Sequence, residues 1–259
     1  MGQSVAAIAG DALKKTVLGL GGFDPFIVTT SADLGMAPEV AVTARCQNNG
    51  QSCIAAKRFL VHAEVAEEFT GLFAQKLAVL TVGDPMDPGS QVGPLATESG
   101  LADVERYVAD AVAKGATVVV GGQRVQRPGR STSDSGHRGD PGDGDVLRGV
   151  FGPVAALYTV DSLEEAIGIA NDQLYGLSAN LWSEDPGERQ AVIRGVPSGM
   201  AFVNAWLPAT LSCPRRDQAE RLRRERSPRL ACTRSNAKTV WIGPPSSQQT
   251  AGDTAETAE

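Results

Sequence analysis

Short runs of β-branched and aromatic residues alternate with stretches of helical period along most of this chain, and that alternation narrows the folds open to it. Residues 57–62 read as a strand, and residues 64–80 follow as an amphipathic helix. In that helix Phe69, Leu72, Phe73, Leu77 and Leu80 recur at helical spacing. The same pairing returns downstream. A helix over 101–114, ended by Gly115, precedes a β-branched strand at 117–120. Strands at 154–160 and 178–182 are each followed by a helix, at 162–170 and 187–194, and a further strand fits 200–204. Upstream, residues 4–14 are Ala-rich and suit a helix, and 37–45 predict another. Residues 17–20 and 26–30 are short apolar runs broken by Gly21, Gly22 and Pro25, as strands and turns require. Strand–helix–strand succession buries both faces of a sheet under helices, so the predicted fold class is α/β with a parallel sheet.

Two windows interrupt the pattern. Gly, Ser, Asp and Arg dominate residues 129–148, where burial cannot offset ordering entropy, so an irregular insert is expected there. Residues 205–237 form a second irregular, basic segment, with eight arginines between Pro214 and Arg234. A short strand at 238–242 precedes a polar tail, 243–259, expected to be disordered. No aromatic residue is interleaved with the arginines to stack bases, so the run reads as an incidental charged segment.

Composition closes off several classes. The 259 residues, 42% of them apolar, suffice for a sizeable core. A net charge of −6 gives no general attraction to nucleic acid or an anionic membrane. Cys46, Cys53, Cys213 and Cys232 are too scattered for a disulfide framework or a zinc knuckle, and His62 and His137 lie far apart. No metal is expected, and a reducing cytoplasm is the expected location. The first residues lack a signal peptide's basic and apolar regions. Ala6 stands where a myristoylation signal needs Ser or Thr, and no apolar run is long enough to span a membrane.

The sharpest chemical feature is Gln47-Asn48-Asn49-Gly50-Gln51-Ser52-Cys53. Small and amide residues around one cysteine let backbone approach a substrate and aim N–H groups at a developing oxyanion. A thiolate there could attack an aldehyde carbonyl. Taken alone, a single cysteine is more often a small buried hydrophobe.

Its context resembles the aldehyde dehydrogenase family. Gly50-Gln51-Ser52-Cys53 with Ile54-Ala55-Ala56-Lys57-Arg58-Phe59 resembles that family's nucleophile segment. Leu20-Gly21-Gly22 with Asp24-Pro25-Phe26-Ile27-Val28 resembles the segment carrying its catalytic glutamate. Val82-Gly83-Asp84-Pro85 and Val92-Gly93-Pro94-Leu95 resemble two later landmarks, Phe151-Gly152-Pro153-Val154 the cofactor-contact motif, and Ala170-Asn171 with Tyr175-Gly176-Leu177 the segment after it. Residues 238–242 resemble the terminal strand of the oligomerisation region. The wording is most similar to bacterial succinate-semialdehyde dehydrogenases. The resemblance covers roughly residues 2–128 and 149–204 plus that last strand.

It implies an aldehyde dehydrogenase catalytic domain, residues 31–204, preceded by a remnant of a Rossmann-like cofactor domain at 1–30. It implies NAD or NADP as cofactor, a small aldehyde as substrate, Cys53 as nucleophile with its own N–H as one oxyanion donor, and Phe151 as a cofactor contact. Departures from the pattern matter as much. Gly19 occupies the place of the general-base glutamate, and a side chain without a proton acceptor implies a loss of ~10²–10⁴-fold. Gly149 occupies the place of the glutamate that holds the nicotinamide ribose. The resemblance begins just after the family's Gly-Ser cofactor turn, so the chain is expected to be truncated, and the two odd windows read as compensated frame shifts. The expected function is aldehyde oxidation through a cysteine thioester, impaired or lost in this chain. The alternatives are a non-catalytic remnant that forms a homo-oligomer or associates with an intact homologue, and a residual thiol esterase using Cys53.

Overall fold

The computed structural model describes residues 2–16, 18, 21–125, 135–138, 150–205 and 239–242. Among these, eight strands form one sheet in the order β3-β4-β5-β2-β1-β6-β7-β8. They are β1 (Pro25–Val28), β2 (Arg58–His62), β3 (Thr117–Gly121), β4 (Ser135–Arg138), β5 (Val154–Val160), β6 (Ser178–Trp182), β7 (Met200–Val203) and β8 (Thr239–Ile242). Each neighbouring pair is parallel except β3 with β4. The helices are α1 (Gly2–Asp11), α2 (Ala37–Cys46), α3 (Ala63–Ala78), α4 (Glu98–Ala113), α5 (Leu163–Asn171) and α6 (Pro186–Gly195).

The central strands are apolar on both sides, because both faces of the sheet are covered. Alternate residues of β1 and β2 serve opposite layers. Phe26, Val28, Phe59 and Val61 meet α2 and α3 through Ala41, Phe69, Phe73 and Leu77. Ile27 and Leu60 face the other layer, where Leu101, Val104 and Val108 of α4 gather with Ala166 of α5 and Val192 of α6. The Phe26 ring lies 5.2 Å from Phe59, and Phe59 lies 5.0 Å from Phe73. Each such phenyl, removed from water, contributes roughly 1.5–3 kcal/mol. Local signals set the helix ends. Thr97, Ser162 and Asp185 cap α4, α5 and α6 by accepting the N–H of Gly100, Glu165 and Glu188. Gly115 follows α4 at φ 98°, a conformation glycine adopts without a Cβ penalty.

Two expectations need adjustment. β1 lies in the middle of the sheet, hydrogen-bonded to β2 and β6, so residues 25–28, expected in a unit of residues 1–30, share one sheet with strands expected in the unit of residues 31–204. Within the window expected to be irregular, 129–148, Ser135–Arg138 forms β4, antiparallel to β3 and parallel to β5. Ladder hydrogen bonds on both sides hold backbone there without apolar side chains. Thr239–Ile242 forms a strand within the expected 238–242 and pairs with β7. Of the apolar run 17–20 only Leu18 is described, and it is not in a strand. The other residues of 129–148, most of the basic segment and the tail lie outside the described residues.

Candidate active site

The chain between α2 and β2 makes a tight turn over Gln47–Gly50. Asn48, Asn49 and Gly50 take φ of 51°, 57° and 70°, a left-handed run that asparagine tolerates and glycine adopts freely. A Cβ on Gly50 would strike the Gly152 carbonyl, so glycine is required there twice over. The amides anchor the turn to the loop at 92–96. Asn49 Nδ2 donates to the Pro94 carbonyl at 3.2 Å, and its Oδ1 accepts the Gly93 N–H at 2.8 Å. Gln51 Oε1 accepts the Ala96 N–H at 2.9 Å. Cys53 follows, half-buried and free.

Three buried cations hold this backbone from beneath. Arg45, wholly buried, donates to the carbonyls of Ala56 at 2.7 Å, Gly50 at 3.0 Å and Gly152. Lys57 Nζ donates to the carbonyls of Ser52 at 3.0 Å, Cys53 at 3.2 Å and Ala55 at 3.0 Å, with the Phe151 ring centroid 5.7 Å away. Arg58 reaches the carbonyls of Phe23, Ile169 and Ala170 and lies over the Phe23 ring. The segment before β1 closes the other side. A Cβ on Gly22 would collide with the Cys53 carbonyl, and one on Gly21 would meet the Tyr175 ring. Asp24 accepts the Lys57 backbone N–H through its carbonyl at 3.1 Å, while its carboxylate takes the N–H and O–H of Ser178.

Burial dominates the electrostatics. It raises the Asp24 carboxyl to about 6, against the attraction of Lys57 and the Ser178 donors. Burial, and after it the Arg45 guanidinium, lowers the Lys57 ammonium to about 7, while Asp24 and Cys53 act in the opposite sense. Geometry also favours the charged form. Three carbonyls use all three N–H donors of an ammonium, and a neutral amine has only two.

Of the residues singled out from sequence, Cys53, through its carbonyl, and the Phe151 ring both lie near the Lys57 ammonium. Gly19 and Gly149 lie outside the described residues, as do Cys213 and Cys232. Cys46 is buried in the α2–α3 layer, and His62 caps α3 by accepting the Glu64 N–H. Sequence reading passed over Asp24, Arg45 and Lys57 as parts of the site. The available signal was a charge set inside an apolar run, as in Phe23-Asp24-Pro25-Phe26 and Ala55-Ala56-Lys57. Among the described residues no group of three His, Cys, Asp or Glu could hold a metal ion. No helix there is long and apolar enough to cross a membrane.

This turn, the glycines against it and the Phe151 loop can be compared with known proteins, and residues 1–214 match the aldehyde dehydrogenase family. The chain belongs to that family. It is 47% identical over 250 residues to the NADP(+) succinate-semialdehyde dehydrogenase of Mycobacterium avium (strain 104), covering 93% of this chain and 52% of that protein. Succinate-semialdehyde dehydrogenase [NADP(+)] 1 of Mycobacterium tuberculosis (strain ATCC 25618 / H37Rv) is 45% identical over 246 residues, covering 93% of this chain and 53% of that protein. The chain thus spans about half the length of the curated relatives it matches. Among solved structures, succinic semialdehyde dehydrogenase from Streptococcus pyogenes, in complex with NADP+, superposes with a TM-score of 0.76 at 36% identity. That match covers 80% of this chain and 46% of the other. A 3,6-anhydro-L-galactose dehydrogenase gives a TM-score of 0.77 at 34% identity, over 81% of this chain and 45% of the other. Phe151 is 46% exposed and offers a ring face beside the Cys53 turn.

Proposed function

We propose that Cys53 is the nucleophile of a site for oxidising a small aldehyde of the succinate-semialdehyde kind with NADP or NAD, and that this chain turns over poorly. The observation that carries the reading is the Cys53 turn itself, half-exposed at the surface and locked beneath by Lys57 and Arg45. In this mechanism the Cys53 thiolate adds to the aldehyde carbon, forming a C–S bond and moving charge to the carbonyl oxygen. The Cys53 N–H donates to that oxygen. When bound, a nicotinamide packed on Phe151 supplies the hydride acceptor. The acyl group then stays on Cys53 as a thioester until water is activated to release it. At position 19 a glycine offers no acceptor for that water's proton, which slows deacylation by ~10²–10⁴-fold. Similarity to the NADP(+) enzymes supports the substrate and cofactor classes. A reducing cytoplasm suits a free thiol.

The test is to mix the purified chain with succinate semialdehyde and NADP, then NAD, and to follow the absorbance of reduced cofactor. The expected rate is at least about 10²-fold below that of an intact relative. Sustained turnover at the relative's rate would overturn the impairment, and turnover unchanged in Cys53→Ala would overturn the nucleophile. A second reading, a non-catalytic association partner, is favoured by one observation. Among the described residues β8 is the last strand of the sheet, paired with β7. Co-elution with an intact homologue on gel filtration supports it, and separate elution of the two counts against it.

A further inference from the structure

Lys57 has the geometry of more than a structural ion. Its Nζ collects the carbonyls of Ser52, Cys53 and Ala55, three of four consecutive residues. No described peptide bond is cis, and in a planar trans peptide the N–H points opposite to the C=O. Drawing the Ser52 carbonyl inward onto the ammonium therefore turns the Cys53 N–H away from it. Drawing the Cys53 carbonyl inward does the same for the Ile54 N–H, which Ser52 Oγ then accepts at 3.4 Å. Gly22 seals the other side of the Cys53 carbonyl, where no Cβ fits, so that peptide has no room to flip. Arg45 fixes the ends of the same turn through Gly50 and Ala56.

We propose that Lys57 is the positioning residue for the oxyanion site: by gathering the carbonyls of Ser52, Cys53 and Ala55 it aims the Cys53 N–H at the oxygen of a substrate held on the sulfur. This rests on the reading of Cys53 as nucleophile, and Lys57, 2% exposed with its three donors on carbonyls, acts through that backbone. Two test reactions of that sulfur need no redox partner. With p-nitrophenyl acetate, the Cys53 thiolate forms a bond to the acyl carbon, the carbonyl oxygen carries the transient charge, and nitrophenolate leaves with the electron pair. With iodoacetamide the same thiolate displaces iodide, and no oxyanion forms. Both reactions draw on one thiolate, so its ionisation cancels in the ratio of their rates.

The experiment measures both rates on the full chain by mass spectrometry of the peptide carrying Cys53, in the parent, Lys57→Met and Lys57→Gln. Acylation relative to alkylation is expected to fall by about 10–100-fold in both variants, the scale of a misplaced oxyanion donor. An unchanged ratio overturns the proposal, including the case where both rates change together because the turn has loosened. If the parent shows no acylation at Cys53, the nucleophile reading fails instead, and the two failures are distinguishable. Should neither variant fold, the parent's own ratio is followed from pH 6 to 9. Asp24, Arg45, Arg58 and Cys53 are the charged or titratable groups acting on Lys57. Loss of the third N–H donor as the ammonium titrates is expected to lower the ratio with rising pH, and a flat ratio overturns the proposal.

Discussion

The two ends of the parallel strands handle charge in different ways. At the amino-terminal ends of β1 and β2, Asp24, Arg45, Lys57 and Arg58 are each at most 3% exposed, and backbone carbonyls take most of the donors. At the carboxyl-terminal ends of β1 and β6, charges lie in or near water and meet hydroxyls. Ser31 and Ser183 donate to Glu188 at 2.9 and 2.5 Å, and Arg189 pairs with Glu184 at 2.8 Å. A cavity of about 80 Å³ opens beside them, lined by Thr29, Thr30, His62, Ser162 and Glu188 among others. Water can replace a lost partner at that end and cannot at the other. The same kind of bond is therefore worth several-fold more around Cys53.

The largest effect that sharpens this contrast is expected from Arg45→Met. It strips donors from the carbonyls of Gly50, Ala56 and Gly152 in a dry site, and should remove about 3 kcal/mol in urea unfolding. A loss under about 1 kcal/mol would break the comparison. Gly22→Ala comes next. Its methyl must displace the Cys53 carbonyl, so a loss of about 1–3 kcal/mol is expected, with a changed alkylation rate at Cys53. Lys57→Met should alter the pH dependence of stability. With its folded pKa lowered to about 7, Lys57 gives up a proton that the unfolded chain keeps up to about 10.4. Parent stability therefore gains with pH across that window, and the variant lacks the gain. The parent's urea midpoint should rise relative to the variant's between pH 7.5 and 9.5, and parallel midpoints would contradict the assignment. The smallest change is expected at the wet end. Glu184→Gln keeps an acceptor for Asn204 and loses a half-exposed ion pair, so about 0.5 kcal/mol or less should separate it from the parent in the same assay.

Much of the layered fold was legible in the residues. Short apolar runs place β2 and β5, and period-3.6 patterns place α3, α4 and α5, within a few residues of their observed ends, because these strands are buried on both sides and each helix buries an apolar face. β4 was not legible, since Ser135–Arg138 contributes backbone and no apolar stripe to the ladder. The sequence order of β1 likewise hides its central position, which depends on pairing with residues far along the chain. At the site, Cys53 and Phe151 stood out by motif. Lys57 and Arg45 did not, because a cation next to alanines reads as surface until the fold shows carbonyls converging on it.

The position of β1 also bears on how the polypeptide is made. Among the described residues it is the first strand of the sheet in chain order, yet one of its two neighbours, β6, arrives about 150 residues later, as the Asp24–Ser178 bond spanning 154 positions records. At roughly 5–20 residues per second on a ribosome, on the order of ten seconds or more pass before that edge can be covered. During that interval a nascent chain presents Pro25–Val28 with an open ladder. Chaperone occupancy and temperature during expression should therefore govern the yield of folded material more strongly than the stability of the finished sheet does.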